Sequence, residues 1–494
     1  MAQNSGDTPL DITDEFTRAL ALMESPDGDH VFLTGRAGTG KSTLLQHFRR
    51  TTKKNIVILA PTGVAAVNVR GQTIHSFFKF SIGVTPDHVR TVREKGDDTN
   101  IYKKLDAIVI DEVSMVRADL MDCIDAFLRR NGPNRQKPFG GVQMIFVGDM
   151  YQLPPVVTSE DEDLFKTRYR SPYFFDAKVF EKTGFFFVEL QKIYRQTNQA
   201  LIEILNAVRL GKVNAAQLAV LNTRYVPNVA EGFSGAVLGG AAKGASAGKS
   251  GAGHVRLMTT NAMADSFNEQ KLAQLPGKFS SLGGAVSGEF KRNLPTSQEL
   301  RLKPGARVMM LTNAEKWING DLAEVVSVSG DESEVVVRLE ESGEECAIVP
   351  YTWEMLRFFY DVGSKKIESK AIGKFTQFPV RLAWALSIHK GQGKTYNNVI
   401  VDFGRGTFAH GQAYVALSRC RTLEGLVLRT PLSPGHIIVD SRIADFMADC
   451  QSVPAGVAIE PPGSLALDFR VEKDREIEKN SETFVDDVTI VNEF

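Results

Sequence analysis

Residues 31–43 read Val31-Phe32-Leu33-Thr34-Gly35-Arg36-Ala37-Gly38-Thr39-Gly40-Lys41-Ser42-Thr43, and this stretch decides the fold. Its β-branched and aromatic start predicts a buried strand, and residues 44–50 predict a helix. Between them, Gly35-x-x-x-x-Gly40-Lys41-Ser42 matches the Walker A pattern without a departure. Gly35, Gly38 and Gly40 let backbone N–H groups turn inward around a polyphosphate, and the next helix aims its positive end at the same charge. Lys41 is expected to reach the β- and γ-phosphates, with Ser42 on magnesium and Thr39 and Thr43 in the same nucleotide-binding set. ATP and magnesium are therefore the expected cofactors. A glycine turn before a surface helix is the plain alternative, and the strand-to-helix setting argues against it.

Further apolar runs lie at 55–59, 105–110 and 142–147. The second ends in Asp111-Glu112 and the third runs into Gly148-Asp149-Met150-Tyr151-Gln152. A parallel sheet presents the carboxyl ends of its strands to the ligand, so these acids should emerge beside the phosphates. Asp111 is expected to hold magnesium through its shell and Glu112 to orient or deprotonate the attacking water.

At 494 residues the chain exceeds what one core organises, so at least two domains are expected. A net charge of -1 means that any nucleic-acid path is a local feature or rests on stacking and backbone contacts. Cys123, Cys346, Cys420 and Cys450 are too scattered for a zinc site or a disulfide framework, and are read as core thiols in a reducing compartment. No apolar run approaches a membrane span and the start is polar and acidic, so a cytoplasmic or nuclear protein with no membrane partner is expected.

Downstream of the loop come Ala60-Pro61-Thr62-Gly63-Val64-Ala65-Ala66 and Thr73-Ile74-His75-Ser76-Phe77-Phe78. Together with the loop they resemble superfamily 1 helicases of the 5′-to-3′ branch, and most closely the Pif1 family. The run after Glu112, Val113-Ser114-Met115 onward, is similar to the stretch by which Pif1 proteins are recognised. The resemblance implies that Pro61, Thr62, Gly63, His75, Ser76 and Phe77 hold single-stranded DNA. Hydroxyls and N–H groups suit phosphates, and aromatics offer a stacking face. For Phe77, core packing is an equally good reading. Gln152 is implied as a γ-phosphate sensor, and Arg195, in Leu190-Gln-Lys-Ile-Tyr-Arg195-Gln196, as an arginine reaching across the domain cleft. Ala385-Leu-Ser-Ile-His389-Lys390-Gly-Gln392-Gly393-Lys394-Thr395 resembles the motif that touches DNA through His389 and Lys390 and the nucleotide edge through Gln392 and Gly393. Gly391 stands where the family usually has serine, which puts one polar contact in doubt. Gly393-Lys394-Thr395 imitates a second Walker A, but Ile388 occupies the place of its first glycine. Residues 412–421 match the last helicase motif and make Arg419 the second cleft arginine. No counterpart of the adenine-reading glutamine is found.

The resemblance spans roughly residues 30–430. It implies an α/β fold of two RecA-like P-loop domains with parallel sheets, a small wedge excursion and an inserted SH3-like β-barrel. The expected division is 1–190 for the first domain, with the excursion at 79–103, and 191–300 plus 367–450 for the second. Within the latter, 230–254 is Gly/Ala/Ser-rich and read as a flexible insertion; 301–366 is the barrel, signalled by Asn319-Gly320 between alternating runs. Residues 1–10 and the acidic 451–494 are expected to be loosely ordered, the latter with a possible protein partner. The implied function is an ATP-dependent DNA helicase moving 5′-to-3′, acting on single strands and their junctions with duplex, monomeric in isolation, in repair, recombination, replication or telomere maintenance. A P-loop switch or kinase without DNA, and a silent single-strand binder, are the alternatives.

Overall fold

The run Val31–Gly35 forms β1, with every residue buried. It lies between β5 (Gln143–Val147) and β6 (Phe185–Leu190), and beyond β5 follow β4 (Ala107–Ile110), β2 (Ile56–Ala60) and β3 (Gln72–Thr73), all parallel. Continuous apolar strands are what a parallel sheet covered on both faces requires. Helices Asp14–Met23 and Lys41–Thr51 cover one face through Phe16, Met23, Leu44 and Phe48. Helix Ala118–Asn131 and the phenylalanines of 174–187 cover the other. The computed structural model describes residues 13–81, 83–91, 100–158, 161–194, 198–227, 253–290, 294–454 and 456–459. Residues 1–12, part of the excursion (82 and 92–99), Arg195, nearly all of the 230–254 insertion and the tail from 460 on lie outside them.

The second lobe starts with helices Gln199–Arg209 and Ala215–Asn222 and with β7 (Val255–Met258). The chain then leaves for an antiparallel region made of β8 (Ser280–Gly283), β9 (Ala285–Gly288), β10 (Glu299–Leu302), β11 (Arg307–Met310), β12 (Leu322–Val328), β13 (Val335–Leu339), β14 (Glu345–Ile348), β15 (Tyr351–Asp361), β16 (Lys366–Gln377) and β17 (Val380–Leu382). It returns as β18 (Ala385–Ser387), β19 (Val399–Asp402) and β20 (Leu426–Leu428), which build a parallel sheet in the order β18-β7-β19-β20. Two parallel-sheet lobes agree with the expected fold class.

The expected SH3-like barrel is not seen to close among the described residues. The main sheet of the inserted region runs β14-β13-β12-β11-β17, and no pairing among the described residues joins β14 to β17. The longest strands go elsewhere, because β15 pairs with β16 along its whole length and β16 with β9. This hairpin crosses to the first lobe, where Phe358, Tyr360 and Ile367 pack on its core and Ile367 N–H donates to Asn55 Oδ1 at 3.3 Å. Nor do Asn319 and Gly320 make a two-residue hairpin: they close the longer connection 311–321, with Gly320 at φ 111°.

After β20 the chain goes back to the first lobe. Helix Ser441–Ser452 stacks Phe446 on Phe175, rings 4.0 Å apart, and β21 (Ala458–Ile459) adds antiparallel to the β6 edge. All four cysteines are free and buried, as expected.

Candidate nucleotide and nucleic-acid site

β1 hands its chain to the loop, and helix Lys41–Thr51 begins at Gly40, which supplies no side-chain cap. Its first N–H groups suit an anionic acceptor. A Cβ on Gly35 would stand 2.7 Å from Leu190 O, so only glycine lets the loop leave β1 beside β6. Thr39 is buried and its hydroxyl donates to Arg36 O at 3.0 Å. Lys41 Nζ donates to Gly35 O at 2.6 Å and to Arg36 O at 3.1 Å. Burial lowers its pKa, while Asp149, Glu112 and Asp111 favour its charge.

The acids come from the ends of β4 and β5, at the same sheet edge. Burial raises the pKa of Asp111. Burial, then the neighbouring Asp111 charge, pushes Glu112 up to about 7 against the pull of Lys41 and Arg419. The Glu112 backbone sits in the left-handed region at φ 52°, a conformation that costs a non-glycine residue about 1–3 kcal/mol and clusters at functional sites. Gln392 of the second lobe reaches this carboxylate: its Nε2 donates to Glu112 Oε2 at 3.0 Å and to Gln152 Oε1 at 3.2 Å. Gln152 Nε2 in turn donates to Asp149 Oδ2 at 3.3 Å.

Magnesium fits the donors present. Described residues hold no cluster of three or more His, Cys, Asp and Glu side chains. One carboxylate and one hydroxyl, completed by phosphate oxygens and water, is the usual magnesium environment, and Asp111 and Ser42 line the same cleft.

The lobes touch at this point. Gly411, at φ 68°, brings its backbone so near that a Cβ would lie 2.4 Å from both Tyr151 O and Gln152 O. Tyr414 then lies under the loop, accepting from Ala37 N–H at 3.3 Å. Arg419 is fully buried, and its fork stays within its own lobe: Nε donates to Val415 O, Nη1 to Lys394 O and Nη2 to Ser418 Oγ at 2.8, 3.2 and 2.8 Å. Its charge nevertheless acts on Glu112.

Sequence reasoning missed Arg209 and Tyr414. Arg209 reaches Asp149 from the second lobe at 3.0 Å and stacks on the Tyr151 ring, 4.3 Å from its centroid. The signal was there: Arg209 follows Leu201, Leu205 and Val208 on the buried stripe of its helix. Tyr414 lay inside a recognised motif but had no visible partner.

A cleft of about 2230 Å³ is lined by Ser42, Asp111 and Glu112 and also by Pro61, Thr62, Gly63, His389, Lys390, Gln392 and Gly393. Ser42, Gln392 and Gly393 of the expected nucleotide set thus share one space with Pro61, Thr62, Gly63, His389 and Lys390 of the expected DNA set, while Gly35, Gly38, Thr39, Gly40, Lys41 and Thr43 are not among its lining residues. Thr62 caps helix Gly63–Asn68 through Ala65 N–H at 3.2 Å, and Lys390 pairs with Asp265 at 3.5 Å. His75, Ser76 and Phe77 are not among the lining residues. Ser76 Oγ accepts from Gln72 at 2.8 Å, and burial lowers the pKa of half-buried His75. Phe77 offers no stacking face: it is 4% exposed, packed against Phe78 and Tyr102, because its helix turns the ring into the first lobe's core.

Residues 13–219 match the family model of the PIF1-like helicase. The chain is 32% identical to the ATP-dependent DNA helicase Pif1 of Bdellovibrio bacteriovorus over 88% of its own length and 92% of that protein's. It is 32% identical to the human ATP-dependent DNA helicase PIF1 over 87% of its length, and spans 63% of that longer relative. Among solved structures, Bacteroides sp Pif1 in complex with ADP-AlF4 superposes with a TM-score of 0.78 at 33% identity, over 90% of this chain and 98% of the other. Bacteroides Pif1 bound to ssDNA gives 0.62 at 32% identity, over 89% and 97%. This chain belongs to the PIF1-like helicase family.

Proposed function

We propose that this protein is a magnesium-dependent ATPase that moves 5′-to-3′ along single-stranded DNA and opens duplex or structured DNA ahead of it. The observation that carries the reading is Gln392, a second-lobe amide bonded at once to Glu112 and Gln152 of the first lobe. A group at that place feels hydrolysis on one lobe and moves with the other, which is the coupling a motor needs.

The loop N–H groups and Lys41 bind the phosphates of ATP, with Gln392 and Gly393 at the nucleotide edge. Ser42 and Asp111 would hold magnesium, which would neutralise phosphate charge. Glu112 takes the proton of the attacking water, and a carboxylate at about 7 is strong enough as a base for this at neutral pH. Arg419 and Arg195 supply positive charge as the γ-phosphoryl group leaves. Pro61, Thr62 and Gly63 on one lobe and His389 and Lys390 on the other hold the strand, and His75 and Ser76 belong to the same reading. The Bacteroides relative bound to ssDNA supports this choice of ligand.

The division at 190, 300, 366 and 450, the wedge role of 79–103, a monomeric state and a protein partner for the tail belong to the same proposal, as do a cytoplasmic or nuclear place and a part in repair, recombination, replication or telomere maintenance. No helix among the described residues is long and apolar enough to cross a membrane. Unwinding assays on matched 5′-tailed and 3′-tailed duplexes test the polarity: only the 5′-tailed substrate should open with ATP. A P-loop switch without DNA would hydrolyse ATP at a rate that single strands leave unchanged.

A further inference from the structure

The cations of the cleft wall are not all used by this reading. Arg381 lies on β17 directly across from Met309 of β11, and Lys394 Nζ stands 3.6 Å from the Met309 sulfur. The two cations therefore flank one methionine, where the inserted sheet meets the second lobe. Both line the same cleft as His389 and Lys390.

Their partners are few. Lys394 Nζ donates to the neutral Asn319 Oδ1 at 2.9 Å, and no carboxylate among the described residues forms an ion pair with it. Arg381 donates through Nη2 to Pro295 O, while its buried Nε has no hydrogen-bond partner. The carboxylate that acts on Arg381 is Asp265, which Lys390 already engages. Burial, then the Arg381 charge, pushes Lys394 down to about 7, and Arg381 also disfavours the charge of Lys390. Among the described residues, Asp265 is thus the carboxylate that acts on Arg381 and Lys390, and none acts on Lys394, so this part of the wall carries more positive than negative charge and an anion relieves it.

We propose that Arg381 and Lys394 form a phosphodiester-binding subsite that grips the sugar-phosphate backbone of the single strand, in addition to the contacts of His389 and Lys390. The inference rests on the reading of the chain as a single-strand motor. It also gives a use to the Gly393-Lys394-Thr395 sequence that imitates a second phosphate loop. The chain after Thr395 runs through a bridge at Tyr396 into β19 rather than into a helix, so no helix N-terminus is present there to hold a nucleotide polyphosphate. A single-charged phosphodiester needs only the two side chains.

Two measurements on the full chain test it. First, binding of an oligo-dT strand is followed against salt for the parent, Arg381→Gln, Lys394→Gln and Lys394→Arg. Each neutral variant should bind more weakly at low salt, with a slope of log affinity against log salt shallower by about 0.7, the single-strand value for one phosphate contact, and Lys394→Arg should keep the parent's slope. Second, the parent's lysines are acylated with and without oligo-dT or ATP and read by mass spectrometry. Lys394 should be protected from acylation by oligo-dT and not by ATP. This second arm decides even if a variant fails to fold. Folded neutral variants with the parent's affinity and slope, or an unprotected Lys394, would overturn the subsite. So would protection by ATP alone, which would make the phosphate a nucleotide's. A parent that binds no oligo-dT would instead defeat the motor reading itself.

Discussion

Arg209 Nη2 of the second lobe lies 3.0 Å from Asp149 Oδ1 of the first, with both side chains buried. Asp149 continues through Gln152 and Gln392 to Glu112, so hydrogen bonds link the Glu112 carboxylate to the helix Gln199–Arg209 across the lobe boundary. Burial works to raise the Asp149 pKa, but Arg209 and Lys41 outweigh it and hold the carboxyl below its ordinary value. Removing one partner of a buried pair leaves the other uncompensated, so Arg209→Leu is expected to lose roughly 3–5 kcal/mol of stability in denaturant unfolding. Because the folded pKa is depressed, the pair's contribution is present above the unfolded value of about 3.9 and is lost as pH falls through the folded one. The difference in stability between parent and Asp149→Asn should therefore shrink on acidification below about pH 4.

Burial and the neighbouring Asp111 charge push the Glu112 carboxyl up to about 7, and only its ionised form accepts a proton. DNA-stimulated kcat/KM should rise with pH through about 7 and level off above it. Glu112→Gln should retain ATP and strand binding while turnover falls to background and the rising limb disappears. Normal turnover in that variant would remove Glu112 from the role of base.

Among the described residues, Lys41 bonds to carbonyls of its own loop, Gly35 O and Arg36 O. Lys41→Ala should abolish hydrolysis and unwinding while costing about 1–2 kcal/mol of stability, as the loss of two hydrogen bonds implies. Circular dichroism melts beside turnover assays separate the two effects.

Arg419 and Arg195 are expected to stabilise charge in phosphoryl transfer, where such arginines contribute about 10³ to 10⁵ in rate. Arg195→Ala and Arg419→Ala should each lower DNA-stimulated turnover at least about a hundredfold with single-strand binding retained. Arg419→Ala should also lower the melting temperature, because its fully buried guanidinium bonds Val415 O, Lys394 O and Ser418 Oγ. Turnover within a few-fold of the parent for both variants would refute the closing-cleft mechanism.

Much of this protein follows from local sequence. The loop Gly35–Ser42, the apolar strands and the acids at their ends depend on short-range backbone chemistry and on the edge at which a parallel sheet delivers its residues. Those parts can be read without coordinates, and Lys41, Asp111, Glu112, Gln152 and Gln392 do converge. Tertiary structure alone decided what lies opposite them. Arg209 meets Asp149 and Tyr414 meets Ala37 across separations of 60 and 377 residues, which no local pattern encodes. The same holds for Phe77, whose aromatic ring suits a stacking face or a core equally well until its helix is packed. Among the described residues no pairing joins β14 to β17, while β15 pairs with β16 and β16 with β9. Strand-forming residues announce a strand, but which edges pair is set by long-range contacts and by the backbone groups those contacts satisfy.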